Sequence, residues 1–429
     1  MMKQYIRIIL VGFAFMAISC FWSMYDGVVP LILKHTFGMN EVLNGVVMAM
    51  DNILALFLLP IFGIWSDKTN TKLGKRTPYI LVGTVLSVAT MIFMPIADNN
   101  GNLTMFLIAT GLVLLFMSFY RSPAVAYMPD ITPRAMRSRG NAVIMLMGTI
   151  GAIFALAMVK VLVSDEEGVK PDYMALFVSI MIFMGISILI MTVFCRENAW
   201  AKEARKIDEL HSKDDEEVGE SNNKSKLSKD KLKSLIFILL SVSFWYMAYN
   251  AVNSAFSRYS VEVLNMAPNE YASYMMVATV SAVISYIPIG LIAGRIGRKK
   301  TILAGVVGLV ITFFACFFFN EGCLLLKVVF AFIGISWGAI NVNSFPMVVE
   351  IASDGDEGKY TGYYYTFSMA AQVLTPVLSG VFLEYVSYKT LFPYGVIFSV
   401  LAFITMTQVK HGDTVKEKKS LLEHLDVGD

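Results

Sequence analysis

Twelve separate runs of about 20 mostly apolar residues interrupt this 429-residue chain, more than the core of a soluble domain can absorb. They fall at 6 to 33, 42 to 64, 78 to 97, 103 to 126, 140 to 163, 172 to 194, 234 to 260, 270 to 293, 301 to 319, 322 to 347, 358 to 384 and 389 to 408. At 1.5 Å rise per residue each is long enough to cross a hydrocarbon layer of about 30 Å. Inside lipid no water satisfies the backbone, so the runs are expected as helices and the fold as an all-α membrane protein. Composition agrees, with 56% hydrophobic residues, 16% charged and a mean hydropathy of +0.62. Lys3 and Arg7 followed by an apolar run to Cys20 could suggest a leader, but the run continues through Leu33 and Ala17 fits a lipid-attachment site poorly. It is expected to be the first membrane helix.

An even number of spans puts both termini on one side. Of the 35 Lys and Arg, 28 fall in the alternate segments that include the termini, and four (Lys34, Lys160, Lys170 and Lys389) in the others. The positive-inside bias therefore predicts cytoplasmic termini in a cell (plasma) membrane. A net charge of +2 gives no basis for a nucleic-acid partner. Cys20, Cys195, Cys316 and Cys323 form neither a C-x-x-C pair nor a zinc pattern and read as buried thiols. His35, His211, His411 and His424 fall near helix ends, in the central loop or in the tail, which predicts no histidine relay and no metal. No phosphate-binding G-x-x-x-x-G-K-[ST] loop and no Ser/His/Asp set occur, so the chain is expected to be neither an ATP-driven pump nor an enzyme.

The one long hydrophilic stretch, 195–233, is too polar to build a core and reads as a cytoplasmic linker, with a short helix possible between Ala199 and Leu210. It separates an N-terminal six-helix bundle, 1–194, from a C-terminal one, 234–408, followed by a cytoplasmic tail, 409–429. The halves echo each other. Gly63, Asp67, Gly74 and Arg76 punctuate the loop after the second run, as Gly290, Gly294, Arg295, Gly297 and Arg298 do after the eighth. Asp130 precedes Arg139 by nine residues, as Glu350 precedes Lys359. Matched loops at matched places indicate duplicated halves. Asp67 is expected to meet the dipole of the third helix and nearby Arg or Lys, which makes these residues a breakable cytoplasmic gate.

At this point the sequence resembles the major facilitator superfamily, whose loop between helices 2 and 3 carries a Gly-x-x-x-Asp-basic-x-Gly-basic-basic motif. The insertion Thr69 to Leu73, the run Pro60 to Lys68 and the helix end Ser122 to Asp130 look most like sucrose/proton symporters and the glycoside-pentoside-hexuronide cation symporters. The resemblance implies the major facilitator fold, alternating access between two pseudo-symmetric bundles, and cation-coupled uptake of a sugar. One departure matters: sucrose carriers place an acidic residue inside helix 4, whereas 103–126 contains Arg121 and no Asp or Glu.

An ionisable group inside a span is costly unless it faces a cavity or a partner, so each is a functional candidate. Asp51 lies roughly 13 Å of rise into the second helix, near the midplane, where a carboxylate can take up and release a proton. Asp26, nearer the outer end of helix 1, is the second candidate for proton coupling, or else a solvated cap at the vestibule mouth. Arg121 and Arg258 are expected either to pair with these acids or to neutralise a substrate carboxylate. Sugar sites combine aromatic faces with amides and carboxylates that take paired hydroxyls. Helix 7 presents Tyr246, Tyr249, Asn250, Asn253 and Ser257 on one face, and helix 1 presents Ser19, Trp22, Ser23 and Asp26. Trp337 and Asn341 on helix 10, Tyr365 and Gln372 on helix 11, and Asn52 beside Asp51 complete the expected substrate contacts. Pro60, Pro123, Pro288, Pro346 and Pro376 are candidate rocking points.

These readings predict a monomeric, proton-coupled symporter of a sugar or glycoside, a disaccharide before others, with no cofactor beyond the coupling cation and no partners beyond substrate and the lipid bilayer. The rivals are sodium coupling, a uronide substrate held by Arg121 or Arg258, and a transporter-like sensor without net flux.

Overall fold

The computed structural model describes residues 2–133, 136–164, 170–215, 229–351 and 357–413. Among these it has twelve helices long and apolar enough to cross a membrane, and their limits lie within five residues of those read from the sequence. The first half contains α1 (Met2–His35), α2 (Glu41–Lys68), α3 (Thr77–Met91), α4 (Phe93–Asn99), α5 (Leu103–Ile131), α6 (Arg137–Leu162) and α7 (Met174–Phe194). After α8 (Glu197–Asp215) come α9 (Lys229–Glu262), α10 (Tyr271–Ile296), α11 (Arg298–Cys316), α12 (Leu324–Val349), α13 (Glu357–Tyr385) and α14 (Leu391–Thr407). The helices overrun the apolar runs mainly where polar residues follow, as at Ser66, Asp67 and Lys68 in α2. The chain stays helical there because internal hydrogen bonding does not require an apolar side chain.

The third span is two helices that meet at Ile92. Pro95 has no N–H to offer the Met91 carbonyl and its ring crowds that group, which is sufficient cause for the break. By contrast, α2, α5, α10, α12 and α13 run unbroken through Pro60, Pro123, Pro288, Pro346 and Pro376. Of the four free cysteines, Cys20 and Cys316 are buried, whereas Cys195 and Cys323 are only half-buried.

The helices sort by burial. In α1 and α9, 61% and 56% of the most apolar window is buried, the highest values of the twelve, so these two lie at the centre. That position puts Trp22 and Asp26 on α1 opposite Asn250 and Asn253 on α9. Lipid-facing residues are correspondingly apolar, as with Phe57, Val85, Ile186, Ile287 and Phe314, each more than half exposed.

Call the end that carries residues 69–76 and 408–413 the terminal end, and the other the opposite end. Among the described residues, every side-chain hydrogen bond given between α1–α7 and α9–α14 lies at the opposite end or near the centre. Arg258 Nε donates to Glu41 Oε2 at 2.8 Å, Tyr388 donates to Glu41 Oε1, and the Glu41 N–H donates to Glu384 at 2.8 Å. Asn269 Nδ2 reaches the Val163 carbonyl at 2.8 Å, and Asn253 Nδ2 reaches Asp26 at 3.3 Å. Glycine permits the same closure in the backbone: a Cβ on Gly380 would stand 2.5 Å from the Glu41 carbonyl oxygen.

The terminal end is built differently, each half tying its own loops. Arg76 donates to Asp130 at 2.9 Å and also to Asp67 and Ser66. Burial works against the Arg76 charge, yet the bonds from Asp130 and Asp67 hold it above the ordinary arginine value. Asp67 therefore does not sit at the start of the third helix, as the motif suggested, but in the last turn of α2. The group that meets the α3 dipole is Glu197, at the start of α8. Its carboxylate accepts from the N–H groups of Lys75, Arg76 and Thr77 at 2.7 to 2.9 Å and from the Thr77 hydroxyl at 2.8 Å. Gly74, at φ +119°, is where a Cβ would run into that carboxylate.

The second half repeats the device. Gly297, at φ +100°, lets Asp413 accept from Arg298 N at 2.7 Å, and Arg298 bonds Glu350 as Arg76 bonds Asp130. Asp130 and Glu350, the two acids matched in the sequence, thus each bond the loop arginine of their own half. The Arg139 side chain lies outside the described residues; Lys359 sits 5.9 Å from the Tyr363 ring, and Arg295 is exposed in the last turn of α10. Gly63 lies against α5, its projected Cβ 3.1 Å from Ser122 Oγ.

Glu197→Ala leaves several helix N–H groups without an acceptor. It is expected to destabilise the protein by about 2 kcal/mol, read as a lowered midpoint of thermal unfolding in detergent. An unchanged midpoint would mean that water caps α3 equally well.

Candidate functional site

Two adjoining cavities lie where the central helices meet. The larger, about 260 Å³, is lined by Trp22 and Asp26 of α1, Met48, Asp51 and Asn52 of α2, Arg121 of α5, Asn250, Asn253 and Ser254 of α9, and Gln372 and Pro376 of α13. The other, about 240 Å³, shares Trp22, Asp26 and Asn253 and extends between α1, α6 and α10, past Gly27, Tyr271 and Thr279. Periodicity explains the convergence. On α1, Ser19, Trp22, Ser23 and Asp26 follow one another at three and four residues and share a face; Asn250, Asn253 and Ser254 do the same on α9.

Within the larger cavity the charges are arranged in order. Asp51 Oδ1 accepts from the N–H of Asn52 at 2.5 Å and from its side-chain amide at 2.7 Å, which fixes the carboxylate at the wall. Arg121 extends from α5 over the face of Trp22, its guanidinium carbon 5.6 Å from the ring. It is near enough to interact electrostatically with Asp51 and Asp26 without a salt bridge of 4.0 Å or less to either among the described residues. A guanidinium held beside two carboxylates yet not locked to either remains available to a third partner.

Several donors in these walls have no partner among the described residues: Trp22 Nε1, Asn250 Nδ2 and the Tyr271 hydroxyl. Buried polar groups are ordinarily satisfied, so three unsatisfied ones in one pair of cavities point to a polar occupant.

The remaining sequence candidates do not line either cavity, though Tyr365 stands near enough to Arg121 to interact with it electrostatically. Tyr249 stacks on Trp337 with ring centroids 3.9 Å apart, and Tyr246 meets the same indole edge-on at 5.3 Å. This aromatic cluster stands about one turn of α9 closer to the terminal end than Asn250 and Asn253. Asn341 neighbours Tyr286, and Tyr365 is 54% exposed. Arg258, expected near Asp51 or substrate, is instead buried against Glu41 at the opposite end. The reason is reach: it lies five residues beyond Asn253 along α9, too far toward that end to enter the cavity.

Tyr271 is the wall residue that the sequence reading missed. The signal existed, since Tyr271, Met275 and Thr279 follow one another at four residues, but a tyrosine at a span end looks like an interfacial anchor. Glu41 was missed for a similar reason, as an acid in the first turn of a span.

The profile of the Major Facilitator Superfamily matches residues 11–342 and 238–424, most of the sequence. The chain belongs to the major facilitator superfamily. Two solved structures share its fold: a nucleoside transporter, NupG, with a TM-score of 0.69 at 16% identity, covering 95% of this chain and 100% of that one, and a bacterial homologue of the iron transporter ferroportin in the inward-facing state. The latter has a TM-score of 0.67 at 13% identity, covering 95% and 99% of the two chains. Among curated relatives, 139 residues are 30% identical to proton-associated sugar transporter A of Homo sapiens, 30% of this chain and 18% of that one. A further 142-residue match is 27% identical to sucrose transport protein SUC3 of Arabidopsis thaliana, 29% of this chain and 24% of that one. These matches span less than a quarter of each relative's length. The protein is therefore a multi-pass membrane protein of this superfamily.

Proposed function

We propose that this transporter carries a sugar or glycoside, a disaccharide before others, together with a proton. The observation that carries this reading is the larger cavity, which Asp51, Asp26 and Arg121 line together with Asn52, Asn250, Asn253 and Gln372. Carboxylates and amides take pairs of vicinal hydroxyls, while Trp22 offers a flat face for ring C–H groups. Two carboxylates against one guanidinium leave one negative charge, which a proton neutralises when the loaded carrier turns over. Asp51 is the proposed proton carrier, and Asp26 its neighbour across the cavity. The names of the partial relatives, a proton-associated sugar transporter and a sucrose transport protein, support the same substrate class.

In this proposal residues 1–194 and 234–408 are the two moving bundles, 195–233 the linker and 409–429 the tail. The terminal end faces the cytoplasm of a plasma-membrane protein that works as a monomer. Since the bonds between halves gather at the opposite end, the conformation described is the inward-facing one.

The test is the external pH of weakly buffered, energy-depleted cells that produce the protein, as disaccharides, glycosides and uronides are added one at a time. Proton symport raises external pH for an accepted substrate, and Asp51→Asn is expected to abolish that rise. Uptake with sodium entry and no pH change would replace the proton by sodium. A response confined to uronides would give Arg121 the substrate carboxylate.

A further inference from the structure

Resting on the sugar reading, we propose that the two cavities are two ring subsites of a single substrate site, and that the lobe closed by Tyr271 selects substrates with a second ring. The lobes are joined at Trp22, Asp26 and Asn253, which line both. Their chemistry differs. The larger lobe adds Asp51 and Arg121, whereas the smaller adds no charged residue of its own but the hydroxyls of Ser19, Ser23, Tyr271 and Thr279 among Gly27, Ala152, Leu156 and Met275. The charged lobe is suited to grip and orient a polyhydroxylated ring. The other is suited to a neutral ring that presents both C–H surface and a few hydroxyls.

Tyr271 gives the smaller lobe its specificity. Its side chain is 98% buried by its 2% exposure, yet its hydroxyl has no hydrogen-bond partner among the described residues. The ring reaches this position because α1 carries Gly27: a Cβ there would stand 2.7 Å from Tyr271 Cζ and 2.8 Å from Cε2, and closer still to the hydroxyl. A glycine on one half of the protein thus admits a tyrosine of the other half beside Asp26, the carboxylate that both lobes share. A buried hydroxyl held there without a partner is satisfied when a ligand hydroxyl reaches it, and a one-ring ligand seated in the charged lobe does not reach it. The link between the lobes is correspondingly weak, since the Asn253 to Asp26 bond spans 3.3 Å and both groups can turn to hydroxyls flanking a glycosidic oxygen.

The experiment is calorimetric binding to the purified full-length protein in detergent, using glucose and galactose against sucrose, maltose, lactose and melibiose. Tyr271→Phe removes only the hydroxyl; Thr279→Leu fills the smaller lobe at a position whose own hydroxyl is satisfied within its helix, donating to the Met275 carbonyl at 2.8 Å. The parent is expected to bind one of the disaccharides at least tenfold tighter than either monosaccharide. Tyr271→Phe should weaken that disaccharide by roughly fivefold to tenfold and the monosaccharides by less than twofold. Thr279→Leu should abolish the preference while monosaccharide binding, retained, shows that the protein is folded. Equal effects on one-ring and two-ring ligands, or none on either, would overturn the lobe assignment and leave the sugar reading standing. Absence of binding by every sugar to the parent would overturn the sugar reading and this assignment together.

Discussion

Arg121→Met is expected to weaken substrate binding by about two to four orders of magnitude, the loss that follows when a charge partner is removed from a desolvated site at about 3 to 5 kcal/mol. The guanidinium lies over Trp22 beside Asp51 and Asp26, and no other Lys or Arg lines either cavity among the described residues. Without it two carboxylates share a low-dielectric cavity with no cation. The charge balance proposed to link proton uptake to substrate arrival is then lost. Arg121→Lys should recover little, because an ammonium cannot offer a planar fork while packing on the indole. The decisive comparison is the calorimetric affinity of the parent, the single variants Arg121→Met and Asp51→Asn, and the double variant that combines them. If Arg121→Met alone binds within threefold of the parent, Arg121 is a packing residue and the site chemistry proposed above is wrong. If the double variant binds better than Arg121→Met alone, the coupling between the two charges is measured directly.

What could be read from the sequence follows from which forces are local. Lipid demands an uninterrupted apolar helix, so the twelve spans were legible to within five residues, and periodic spacing put Trp22 and Asp26 on one face of their helix and Asn250 and Asn253 on one face of theirs. The loops were less legible because their partners are remote. Nothing within ten residues of Gly74 suggests Glu197, more than 120 residues later, as the acid that caps α3. The motif's own acid, Asp67, looked like the cap only because it is nearer in sequence. Depth along a helix was the other weakness. Arg258 and Asn253 sit on the same helix five residues apart, and a small error in the membrane midplane moves an arginine from the substrate cavity to the closed end. Tyr271 shows the converse: a tyrosine at a helix start looks like an interfacial anchor, but the absence of a side chain on Gly27 opposite gives its ring room inside.

The closed end itself yields the second large effect. Glu41 is fully buried and collects Arg258 at 2.8 Å, Lys34 at 3.5 Å and the Tyr388 hydroxyl, joining α1 and α2 to α9 and the turn before α14. Arg258 is 3% exposed, and among the described residues Glu41 is the carboxylate within salt-bridge distance of it. Glu41→Leu leaves that guanidinium buried and without its acid, a penalty of about 3 to 5 kcal/mol borne only while this end is closed. Opening the end returns Arg258 to water and removes the penalty, so the equilibrium is expected to move toward the oppositely open form by about two to four orders of magnitude. Replacing both charges, Glu41→Leu with Arg258→Met, should restore most of the closed population, since an apolar pair of similar size costs little there. Spin labels on a cysteine-free background read the two ends separately. In Glu41→Leu the Asn100 to Asn320 distance at the opposite end should lengthen and the Lys72 to Lys300 distance at the terminal end should shorten, and both should revert in the double variant. Unchanged distances in Glu41→Leu would show that the backbone contact of α2 with α13 at Gly45 and Gly380 holds this end shut without the charges, and would shift the search for the gate to those two glycines.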